Sequence, residues 1–153
     1  MTRCKALLRG TVSITLASIV ALSVAGCGGS SAQGPDAAEA DRVRASDRLK
    51  GRWMLVDFRP DQPLEPMLAA LLGAQLGHLA VSFDGQWLLA EGIGVRAQRS
   101  YVVQDAAGDG LHLVVRDDVG ATYDVVGTFR GNDLEFSART SPWQGAGRLT
   151  RMQ

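Results

Sequence analysis

The sequence predicts a mostly β fold: an antiparallel eight-strand meander, or a small barrel built from it, with one helix between the first two strands. Three observations lead there. From about residue 48 onward apolar and polar side chains alternate with a period of two. Turns rich in Gly and Asp bound the alternating runs, and a single segment, Leu64–Leu76, replaces alternation with helical spacing.

The strands follow in order. Lys50–Phe58 is the first. His78–Phe83 and Gln86–Ala90 flank Asp84-Gly85, a dipeptide suited to a tight hairpin turn. Gln98–Gln104 and Leu111–Arg116 flank the polar stretch Asp105–Gly110. Asp117–Gly120 turns into Ala121–Arg130, Gly131-Asn132-Asp133 turns into Leu134–Arg139, and Ala146–Met152 is the eighth strand. Leu111, Leu113 and Val115 share one face and His112, Val114 and Arg116 the other, the one-side-dry pattern of antiparallel sheets. The helix places Met67, Leu68, Leu71, Leu72, Gln75 and Leu76 at helical intervals behind Pro66, a residue suited to a first turn. Closing eight strands into a barrel would leave no bare edge.

The segment before this domain has a different composition. Residues 28–47, GGSSAQGPDAAEADRVRASD, carry one large aliphatic residue, Val43, and too little apolar surface to offset ordering entropy. Residues 27–47 therefore read as a flexible tether, with Ala37–Arg48 able to form a short polar helix. The domain is assigned to 48–153.

Residues 1–26 form a separate unit. Arg3, Lys5 and Arg9 precede the uncharged apolar run Thr11–Ser23, whose 13 residues fall short of the ~20 that span a bilayer. That pattern is an export signal, and Val24-Ala25-Gly26-Cys27 behind it resembles the lipobox of bacterial lipoproteins. The resemblance implies cleavage after Gly26 and acylation of Cys27, so that the domain is held to a membrane by lipid. Gly28, where an Asp would retain the protein at the inner membrane, implies transfer to the outer membrane, with the domain in the periplasm or at the cell surface. Cys4 is lost with the signal, which leaves the mature chain one cysteine and no internal disulfide.

Cleavage leaves 16 acids against 13 bases, a net charge of −3, and nothing that suggests nucleic acid as a partner. Chemistry-bearing residues are sparse. His78 and His112 have no second ligand type nearby, Asp105, Asp109, Asp117 and Asp118 lie in turns, and no nucleophile–base pair or metal set stands at persuasive spacing. A non-enzymatic domain without cofactor is the expectation. A hydrolase would need Asp57 or Glu91 in a cleft beside His78 or a second carboxylate.

Gly51-Arg52-Trp53 at the start of the first strand resembles the G-x-W signature of lipocalins and related calycin barrels. The resemblance implies that Trp53 plugs one barrel end, with Arg148 or Arg151 from the last strand across its ring. The helix after the first strand is similar to the one that caps the mouth of fatty-acid-binding proteins. The implied function is binding of a small apolar ligand, and the alternative is an interaction or inhibitor module of the cell envelope.

Alternation sets the inward faces. Trp53, Leu55, Val81, Phe83, Trp87, Leu89, Tyr101, Leu113, Tyr123, Val125 and Phe136 form the expected interior, and Trp53, Asp57, Trp87, Tyr101 and Tyr123 are the candidate ligand-binding residues. Asp57 shares the parity of Trp53 and Leu55; it either points inward to a partner such as Arg96 or Arg99, or it is solvated at the strand end. An eight-strand barrel either fills with side chains or holds one small ligand, and the bulk of this interior leaves both open. Trp143, in the turn Ser141–Gly145, either covers a barrel end or is an exposed contact residue.

Overall fold

The computed structural model describes residues 35–139 and 144–153; Cys27 with its lipobox and Trp143 lie outside the described residues. The elements run α1 (Pro35–Leu49), β1 (Gly51–Pro60), α2 (Pro66–Gln75), β2 (Ala80–Phe83), β3 (Trp87–Gly92), β4 (Val95–Ala107), β5 (Gly110–Arg116), β6 (Thr122–Arg130), β7 (Asp133–Ala138) and β8 (Gly145–Arg151). Each strand pairs antiparallel with the next, and β8 returns to β1, closing an eight-stranded barrel with α2 between the first two strands as expected. No sheet edge is left bare.

Alternation holds within each strand, but two bulges reset it. The β1–β8 register shifts between Leu55 and Asp57, and the β4–β5 register between Val103 and Asp105. A bulge inserts one residue and reverses the parity downstream. Trp53 and Leu55 therefore point inward, and after the bulge it is Phe58 that does so, while Asp57 turns out to an ion pair with Arg59 at 3.3 Å. Of the two readings of Asp57 the outward one holds, and its partner is Arg59 rather than Arg96 or Arg99. In β4 the same reset brings Ala106 into the core beyond Tyr101 and Val103.

Strand β3 departs from expectation. The turn before it, residues 84–86, spans three residues instead of two, and the Asp84 carboxylate accepts the amides of Gln86 (2.8 Å) and Trp87 (2.7 Å) and holds the chain in a wider bend. Phe83 then faces Leu88, and directly opposed residues share a face. Leu88 and Ala90 pack inward, whereas Trp87 and Leu89 lie on the outer face, Trp87 with 45% of its surface exposed.

The N-terminal helix is longer than composition suggests. Residues 35–47 belong to α1 rather than to a flexible tether, and Ala45 and Leu49, one turn apart on the same face, are buried in the core. Two small contacts suffice to dock a helix that is otherwise polar. The Lys50–Asp47 pair beside it stays on the solvent side, whereas Asp41, paired with Arg44 at 2.9 Å, is largely buried. Residues Ala32–Gln153 form one compact unit containing the whole described core.

One pole of this barrel is sealed where α1 enters β1. Trp53 is 1% exposed, and its indole N–H donates to the Leu49 carbonyl at 2.8 Å. Of the two candidate arginines it is Arg151 that stacks on the ring, its guanidinium carbon 4.5 Å from the centroid. The same guanidinium donates to the carbonyls of Lys50 (3.0 Å) and Arg48. A helix ends with carbonyls that have no partner inside it, and here a tryptophan and an arginine supply the donors. Gly51 sits between them at φ +120°, a conformation that side chains disfavour, which is the physical content of the glycine in Gly51-x-Trp53. Phe129 lies 6.3 Å from Trp53, under the Arg48 guanidinium, and Arg48 is tied in turn to Asp109 at 2.6 Å.

Candidate functional site

The other pole is open. Between the sealed end and α2 lies a cavity of about 440 Å³, and among the described residues every one that lines it except Gln75 is a Leu, Val or Phe. Trp53 and Phe129 lie at the sealed pole, and Phe58, Phe83 and Phe136 line the cavity itself. Trp87 and Leu89 point away, and inward positions on β6 and β8 are held by Gly127 and Gly147, with the Phe136 ring lying over Gly147. Phe58 and Phe136, with centroids 6.2 Å apart, form part of the upper wall, and Leu113, Val115 and Leu134 lie among the residues beneath.

Helix α2 covers this space incompletely. It is apolar on all sides, and Gln75 is its one buried residue. Leu68, Leu71 and Leu72 line the cavity, yet Leu68 is 37% and Leu71 52% exposed; Val95, opposite on the β3–β4 hairpin, also lines it and is 42% exposed. Side chains that touch both cavity and solvent mark a portal between α2 and that hairpin. Met67, Ile93 and Val119 add exposed apolar surface at the same pole.

Gln75 fastens the two sides of the portal together. Its amide nitrogen donates to the Ile93 carbonyl at 2.9 Å, and its amide oxygen accepts from the Ile93 N–H at 3.1 Å. The fit depends on Gly92: a Cβ there would stand 2.1 Å from the Gln75 amide oxygen and 2.9 Å from Leu79. The helix is also held at its C-terminal end by the Gly77 N–H on the Leu55 carbonyl at 2.7 Å.

None of the five residues expected from sequence to contact a ligand lines the cavity. Trp53 belongs to the sealed pole and Trp87 to the outer face. Asp57 is paired with Arg59 outside. Tyr101 is buried, edge-on to Phe83 at 5.3 Å, and its hydroxyl accepts the Gly85 N–H; burial pushes its phenol above the usual value, opposed by that hydrogen bond. Tyr123 packs against the core and donates to Asp117 at 2.6 Å, at the β5–β6 turn. That bond, aided by the Ala121 and Val119 amides, holds the Asp117 carboxyl below its usual range, and it raises the Tyr123 phenol. The group is a turn anchor. Sequence reasoning missed Gln75, and the available signal was a single carboxamide near the end of an apolar helix.

Other polar residues form local pairs. Glu91 meets Arg96 at 3.6 Å across the β3–β4 hairpin, and His112 meets Asp124 at 2.8 Å on the barrel surface. Among the described residues no three His, Cys, Asp or Glu side chains are placed to share a metal ion, and no helix is long and apolar enough to cross a membrane.

The class defined by fold and site is an eight-stranded antiparallel barrel with one sealed pole and an apolar cavity under a helical cover. Comparison with family models, curated proteins and solved structures finds no match for this chain.

Proposed function

We propose that the chain is a lipoprotein of the bacterial envelope whose lipocalin-like barrel binds a small apolar ligand without catalysing a reaction on it. The observation that carries the binding function is the cavity: about 440 Å³, within the range of small-molecule sites, lined by Leu, Val and Phe. The sealed pole with Trp53 under Arg151 supports the calycin likeness. Residues 1–27 support lipid anchoring at Cys27, with the domain held at the outer membrane.

Two measurements test this. The 32–153 unit should bind Nile red, a neutral polarity-sensitive dye, and gain thermal stability as the folded state is selected by ligand. Val125→Phe, which adds a ring to the cavity wall, should abolish the dye signal while the protein stays folded. A folded Val125→Phe variant that binds dye as before would refute the cavity as the site. For the anchor, Cys27→Ser should end metabolic acyl labelling of the full chain, and continued labelling would refute it.

A second reading, docking on another envelope protein, draws on Met67, Ile93 and Val119, which stand exposed at the open pole. Dye binding that Val125→Phe abolishes would favour the first.

A further inference from the structure

We infer that the ligand is a single-chain amphiphile, bound hydrocarbon end first, and that the protein reads its chain while leaving its headgroup in water. The inference rests on the ligand-binding reading and concerns the same cavity.

The chemistry of the wall excludes an internal headgroup site. A carboxylate, phosphate or ammonium drawn into an apolar interior needs an opposite charge or several hydrogen-bond donors, because desolvation otherwise costs several kcal/mol. Among the described residues no cavity-lining side chain is charged, and the one polar one is already engaged. Both the oxygen and the nitrogen of the Gln75 amide are taken by the backbone of Ile93, in a contact that holds the portal's two sides. A ligand that recruited Gln75 would have to break that fastening. Tyr101 and Tyr123 do not line the cavity, and the Tyr123 hydroxyl already donates to Asp117.

The shape of the opening fixes the direction of insertion. Lining residues reach solvent at Leu68, Leu71 and Val95, so a chain seated in the cavity ends in a polar group at this gap, where water solvates it. Opposite, Trp53, Phe129 and Leu49 block any exit. A ligand with a polar group at each end has nowhere to put the second one. Recognition is therefore by chain length and one-ended polarity, and head chemistry is not discriminated.

The test is displacement of Nile red from the 32–153 unit by dodecanoate, dodecanol, dodecyltrimethylammonium and dodecanedioate, each below its micelle threshold, with octanol and decanol as shorter chains. The three one-headed dodecyl compounds should compete with similar affinity. Dodecanedioate should be weaker by about a hundredfold or more, the equivalent of burying one unpaired carboxylate. From octanol to dodecanol affinity should rise about fourfold per methylene until the cavity is full. Dodecanoate binding more than about tenfold tighter than dodecanol would reveal a carboxylate clasp and overturn the inference, as would dodecanedioate competing equally. If the dye binds and no dodecyl compound displaces it, the chain-length reading fails while ligand binding stands. If the dye itself does not bind, the ligand-binding reading fails first.

Discussion

The two poles of the barrel solve the same problem, how to end a closed sheet, in opposite ways. At the sealed pole Trp53, Phe129 and Leu49 fill the interior, and the Trp53 indole and the Arg151 guanidinium satisfy the carbonyls of α1. At the open pole α2 lies across a cavity, leaves Leu71 half in solvent and is fastened by the Gln75 carboxamide and by the Gly77 N–H on the Leu55 carbonyl. On the proposed reading, stability belongs to one end and ligand access to the other.

The comparison breaks first at Trp53. Trp53→Ala should cost about 3–5 kcal/mol in chemical denaturation, the range for truncating a buried large aromatic, since the surrounding strands cannot close on the void. A loss below about 1 kcal/mol would mean that the sealed pole does not carry the fold. At the open pole the expected effect is smaller and of a different kind. Gln75→Ala should lower stability by about 1 kcal/mol, because water at the exposed hairpin replaces the lost hydrogen bonds. It should also accelerate dye release from the cavity. Unchanged release kinetics would show that the portal opens elsewhere.

The smallest effect sharpens the contrast through pH. Tyr123 gains a partner in Asp117, so its folded-state ionisation lies above the ordinary value of 10.0 and its contribution is present below that value and lost as pH rises through the raised one. Asp117 is depressed, so its contribution is present above the usual carboxylate range and lost as pH falls through the lowered value. Ultraviolet titration should show Tyr123 ionising later than free tyrosine, and Asp117→Asn should bring it back with little change in overall stability. If Asp117→Asn leaves the tyrosine titration where it was, the turn anchor has no electrostatic role.

How much of this was legible in the sequence follows a physical rule. Alternation in Leu111-x-Leu113-x-Val115 and the Gly51-x-Trp53 pattern depend on residues adjacent in the chain, and the structure matches both. The bulge after Leu55 and the three-residue turn at Asp84 depend on the partner strand and on a side chain choosing backbone donors; neither is visible in periodicity. These two unseen shifts moved Asp57 and Trp87 to the outside. The cavity was illegible for a related reason: a void is a property of what several strands jointly fail to fill, and Gly127 and Gly147 acquire meaning only beside Phe136.

The stacking of Arg151 on Trp53 has a consequence for the rate of folding. The hydrogen bond from Arg151 to Lys50 joins residues 101 positions apart, and the β1–β8 seam that accompanies it closes nearly the whole domain into a loop. Pairing between such distant residues raises the mean sequence separation of the contacts, the quantity with which folding slows. Until that seam forms, β1 and β8 present two unpaired edges and an apolar inner face. Closing the β1–β8 seam is what removes both edges from reach of another chain.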